Sequence, residues 1–113
     1  MTQADAPRRG IAARPVAIPV DIDAPHLEKA SGVVRLPPNV RWSTPDRAYD
    51  LSQMPDLRSV YEQVLQEGTE EDVRRFIEVD QLIAVWDELV LPDHVRVAWA
   101  SWLSEHRGLH LAC

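Results

Sequence analysis

The sequence predicts an all-α fold: three to four short helices in a small bundle over residues 55–108, preceded by an extended arm and a disordered N-terminal leader. Three observations predict it. Apolar residues recur at helical spacing only between Asp56 and Gly108, and helix start and stop residues bracket each periodic run. Residues 1–35 hold four prolines and no aromatic residue, so that stretch has little to bury against its ordering entropy. The chain accordingly divides into a disordered or extended leader (1–35), a proline-rich ordered arm (36–54) and a helical domain (55–113).

Leu57, Val60, Tyr61, Val64 and Leu65 fall at i, i+3, i+4, i+7 and i+8, the single stripe of an amphipathic helix from about Pro55 to Glu67. Pro55 suits the first helical position, and Gly68 is expected to end the helix in the left-handed conformation. Thr69 is the next N-cap, with Glu70, Glu71 and Asp72 in a first turn where carboxylates complement exposed N–H groups. Asp72 can close a capping box with Thr69. Val73, Phe76 and Ile77 continue the period to about Val79. Asp80 reads as a further N-cap, followed by a stripe of Leu82, Ile83, Trp86, Leu89 and Val90, and the pattern alone leaves open whether this region is two helices or one bent helix. Leu91-Pro92-Asp93 breaks the chain. The last helix carries Val95, Trp99, Trp102 and Leu103 on one face and stops at Gly108, and the apolar tail beyond it either packs back or meets a partner.

The leader offers at most a short strand at 16–22, given a partner edge. A start assigned upstream of the true one would also give so patternless a leader. In the arm, Pro37, Pro38 and Pro45 exclude a continuous helix, while Val40, Trp42, Tyr49 and Leu51 are too apolar to leave in water. The arm therefore lies across a surface, its own helices or a partner's.

The net charge of −6 is unevenly spread: residues 56–113 hold 12 acidic and 5 basic residues, residues 1–55 hold 6 and 7. An acidic helical half repels phosphate backbones, which disfavours nucleic acid and favours a basic partner surface. The single cysteine excludes an internal disulfide, no apolar run is long enough to span a membrane, and a cytoplasmic location is expected.

His106, His110 and Cys113 have an H-x3-H-x2-C spacing, but Gly108 should end the helix between the histidines and a fourth ligand is missing, so no metal or other cofactor is expected. The carboxylates Glu70, Glu71, Asp72, Glu78, Asp80, Asp87 and Glu88 sit at helix starts or on polar faces, not in the apolar cleft that acid–base catalysis needs. With no phosphate loop or nucleophile motif, catalysis is not expected. A helix-turn-helix over 70–90 fails because its second helix carries no Arg or Lys. Arg74 and Arg75 read as bridge formers, Glu71 with Arg75 and Arg74 with Glu78.

The string Val60-Tyr-Glu-Gln-Val-Leu-Gln-Glu-Gly-Thr-Glu-Glu-Asp-Val-Arg-Arg-Phe-Ile, followed by Val79-Asp-Gln-Leu, Trp86-Asp-Glu-Leu-Val-Leu-Pro and Trp99-Ala-Ser-Trp-Leu, resembles a group of small actinobacterial proteins. Their genes lie directly before genes for abortive-infection-type nucleotidyltransferase toxins. The resemblance covers about 36–113. It implies an antitoxin that binds its toxin directly and blocks nucleotide transfer to tRNA. Trp86, Trp99 and Trp102 would then be the apolar anchors, Asp87, Glu88 and the Glu70–Asp72 cluster the complementary rim, and Trp42 and Tyr49 part of a wrapping arm. For at least two of the three tryptophans, burial in the protein's own core is the stronger expectation. The rival readings are a DNA-binding autoregulator using Arg8, Arg9, Arg14 and Arg35, and a helical dimerisation or adaptor module, with a homodimer as the corresponding partner.

Overall fold

The computed structural model describes residues 16–41 and 44–111, so Trp42 and Cys113, and the leader residues Arg8, Arg9 and Arg14, lie outside the described residues. Within them the chain runs β1 (Val33–Arg35), β2 (Ala48–Asp50), α1 (Met54–Glu67), α2 (Glu70–Phe76), α3 (Val79–Val85), a 3-10 turn (Trp86–Glu88) and α4 (Asp93–Arg107). The fold is mostly helical, and it is not purely α: the stretch expected as leader and arm supplies a two-stranded antiparallel sheet.

All five predicted stripe residues of α1 are buried, and Pro55 stands in its first turn. Gly68 departs from expectation. Its backbone is extended, φ −77°, and what it provides is room: a Cβ there would meet the Val64 carbonyl oxygen at 2.7 Å. The Thr69–Asp72 capping box forms as read, each partner accepting a backbone N–H from the other. Gly108 takes the left-handed conformation, φ 67°, at the end of α4, and Leu111 beyond it packs on the core.

The region left open between Thr69 and Val90 is two helices, and they part earlier than Asp80. Glu78, not Asp80, is the N-cap of α3: its carboxylate accepts the N–H groups of Asp80 and Gln81. The 3-10 turn after Val85 then changes the angular step per residue. Val85 takes an inward place, and Val90, expected in the stripe, is 77 % exposed. The anticipated bridges also differ, because Arg74 reaches Asp21, Glu70 and Glu71, leaving Glu78 to its cap.

The largest correction concerns the boundary at residue 35. Residues 16–35 are irregular and turn-rich but packed: Ile22 is 1 % exposed within the core, with Val16, Ile18, Ala30 and Val34 against it. No strand forms over 16–22, where the Ile22 N–H bonds to the Pro19 carbonyl in a turn. Charged pairs flank the buried Ile22: Asp21 meets Arg74 at 2.9 Å, and Asp23 meets Arg107 at 2.8 Å, with Asp80 on the other side of the same guanidinium at 2.9 Å. Lys29 ties the strap again, donating to the Arg74 carbonyl at 2.8 Å. Leu36, Val40 and Tyr49 of the arm complete the core from the same side. Periodicity does not reveal these residues because each buries a single side chain between turns.

Replacing Ile22 by Ala should lower the unfolding free energy by about 2–4 kcal/mol, read from a urea titration, since the walls of its site belong to helices that cannot collapse onto a turn. Asp23 has its pKa lowered, first by the hydrogen bond from Arg107. A depressed folded-state pKa contributes stability that is complete above the unfolded value of about 3.9 and is lost as pH falls through the folded value. Asp23→Asn should therefore reduce the melting temperature near neutrality and flatten its decline below about pH 4.

Candidate partner-binding surface

The 3-10 turn holds three of the candidate residues, Trp86, Asp87 and Glu88. Trp86 points into the core at 1 % exposure, whereas Asp87 and Glu88 on the same turn face solvent. Arg96 of α4 holds the turn from behind: its guanidinium donates to the carbonyls of Trp86 and Leu89 and lies 5.0 Å from the Trp86 ring. From α1, Arg58 pairs with Glu88 at 3.0 Å, and the Glu62 carboxylate accepts the Val90 N–H at 2.7 Å. Arg58 and Glu62 are one helical turn apart, so α1 fixes the outer rim of the turn at two points.

On α4, Trp99 is wholly buried, and its indole N–H finds no partner among the described residues. Trp102 lies at the edge of the core, half-buried, 6.0 Å from Trp99 and stacked on His106 at 4.4 Å with 14° between the planes. The His106 Nδ1 sits 3.0 Å from the Trp102 carbonyl oxygen, one turn back. Tyr49 is buried in β2: its hydroxyl accepts from the Gln63 amide at 3.1 Å, and Arg47 covers its ring at 3.9 Å.

Two of the three candidate tryptophans lie in the core, the stronger expectation from the sequence, and Tyr49 is buried as well. Trp86, Trp99 and Tyr49 are core residues that a partner cannot touch without unfolding the chain, as the length and volume of such side chains in so small a domain require. Asp87, Glu88 and the outer edge of Trp102 remain at the surface, as do Glu70 and Glu71 of the acidic first turn. Two further residues shape this surface: Val90, which periodicity marks for the core and which the structure leaves exposed, and Glu62, which periodicity does not mark and which holds the Val90 N–H.

The charge at this surface is one-sided. Of the five arginines of the helical half, Arg58, Arg74 and Arg107 are in ion pairs, and Arg96 donates to backbone carbonyls. Asp87, Asp93 and Glu105 are exposed and make no ion pair among the described residues. Elsewhere, a cleft of about 370 Å³ between the strap and α1 is lined by Leu57, Tyr61 and Phe76 with Lys29 at its rim. Burial lowers the Lys29 pKa, and its ammonium is directed at the carbonyls of Ile22 and Arg74, a positioning role for the strap.

Trp86→Ala should cost about 3–5 kcal/mol of stability, and Trp102→Ala, at a half-exposed position, distinctly less; parallel denaturation curves test the ordering. Compared with family models, curated proteins and solved structures, the chain matches none of them.

Proposed function

We propose that this protein acts by binding another protein, as an antitoxin-like neutraliser of a nucleotidyltransferase-type toxin in the cytoplasm, without chemistry or cofactor of its own. The supporting observation is the one-sided charge of the helical half. Its cations are largely engaged within the molecule while Asp87, Asp93 and Glu105 stay unpaired among the described residues, so the surface offered outward is anionic. A toxin that handles RNA and nucleotide phosphates needs a basic mouth, and such a mouth attracts this surface and is blocked by it. Trp102 is the tryptophan of the helical half with surface still to bury, which makes it the apolar centre of the contact, with Asp87 and Glu88 as rim charges. The resemblance to proteins encoded beside such toxins supplies the partner class. Among the described residues no helix is long and apolar enough to cross a membrane.

Co-expression with the product of the adjacent downstream gene, which this reading requires to be a nucleotidyltransferase, should yield a stable complex, restore growth and suppress nucleotide transfer to tRNA. Asp87→Lys together with Glu88→Lys should slow association by about tenfold or more at low salt, with a smaller effect at high salt. Trp102→Ala should speed dissociation without unfolding the chain. Absence of both complex and rescue would overturn the reading.

A further inference from the structure

We infer that the outer edge of β1 is a docking site for an extended, acidic segment of a partner chain, which joins the sheet as its third strand. This rests on the sheet and its flanking arginines and is independent of the surface around Trp102.

The two edges of the sheet are finished differently. The register pairs Val33 with Asp50, Val34 with Tyr49 and Arg35 with Ala48, and the Leu51 N–H bonds to the Gly32 carbonyl at 2.9 Å. An antiparallel ladder alternates hydrogen-bonded and non-hydrogen-bonded pairs. The backbone groups of Val34 and Tyr49 therefore face each other. Those of Val33 and Arg35 point out of one edge, and those of Ala48 and Asp50 out of the other. On the β2 edge, side chains cover them: Asp56 accepts the Asp50 N–H at 2.9 Å, and Arg47 donates to the Ala48 carbonyl at 3.1 Å. On the β1 edge, nothing among the described residues takes the N–H or C=O of Val33 or Arg35, and the Val33 side chain is 67 % exposed. A bare edge of this kind is a template for strand addition.

Charge identifies the occupant. A cleft of about 490 Å³ runs beside the edge, and its charged lining residues are Arg35 and Arg75, with no carboxylate. Arg35 shares its charge with Asp46 at 3.1 Å, while Arg75 makes no ion pair among the described residues and lies against the Phe76 ring. In a chain of net charge −6, this edge is a cationic locality, and an incoming strand with carboxylates at alternate positions complements it. The protein's own first fourteen residues have the wrong sign, with Arg8, Arg9 and Arg14 against Asp5. A second copy would bring two further arginines to the same seam.

A fluorescent synthetic peptide alternating valine and glutamate, titrated against the full chain, tests this. Binding should be saturable and slow amide exchange at Val33 and Arg35 but not at Asp50. Arg75→Glu, on an exposed side chain, should weaken it about tenfold or more with the melting temperature unchanged. Val33→Pro should abolish it, since proline removes only the outward donor at that position. Should Val33→Pro fail to fold, Arg75→Glu and the exchange pattern decide. The proposal is overturned by no binding, by equal binding of a peptide with lysine in place of glutamate, or by protection elsewhere. It is also overturned if the chain alone self-associates through this edge in sedimentation, with Val33 and Arg35 already protected.

Discussion

The Tyr61 hydroxyl accepts the N–H of Glu78 at 3.0 Å, and the direction of the whole second half of the chain depends on that bond. A helix that stops in the interior exposes backbone groups that must find partners. At the break between α2 and α3 the partners are Tyr61 for the Glu78 N–H and the Glu78 carboxylate for the N–H groups of Asp80 and Gln81. Burial pushes the Tyr61 pKa up to about 12, so the phenol stays neutral over the ordinary range and adds no charge to the core. With the break satisfied there, α3 starts at Val79 and sends Leu82, Val85 and Trp86 into the core shared with α1. Asp87 and Glu88 are thereby left outside.

What could be read in advance was what repeats or what caps locally. The α1 stripe, the Thr69–Asp72 box and the stop at Gly108 each depend on residues within a few positions of one another. The break at Glu78 depends on Tyr61, seventeen residues back, whereas residue type alone favours Asp80 as the cap. The sequence marks Gly68 as a left-handed helix stop, but its function is clearance from Val64, which only the packed helix reveals. The three-residue strands and the single buried Ile22 carry no period at all. For the candidate site, the sequence gives the core as the destination of at least two of the three tryptophans but not which one stays at the edge, because the same burial drives a core and an interface. Trp86 and Trp99 went to the core, and only charge and a helix edge remained for recognition.

Two surfaces of opposite sign result on one small molecule. The helical side neutralises its arginines internally and keeps surplus carboxylates outside. The sheet side has the Arg75 guanidinium, which makes no ion pair, and the outer backbone of β1, which makes no hydrogen bond, among the described residues. The same economy of salt bridges explains both: Asp21, Glu70 and Glu71 all converge on Arg74, and its neighbour Arg75 is left without a carboxylate among the described residues.

The pairing of Asp23 with Arg107 spans 84 positions, which orders events in time as well as in space. A chain leaving the ribosome displays Ile22 and Asp23 long before Arg107, the guanidinium that clamps Asp23, has been translated. The helices α1 to α3 can assemble meanwhile and take Asp21 and Lys29 onto Arg74, but the Asp23 end of residues 16–35 closes only after α4 has emerged. Completion is therefore a late, non-local step, slow relative to helix formation. Until then the nascent protein carries a partly uncovered apolar seam beside Ile22.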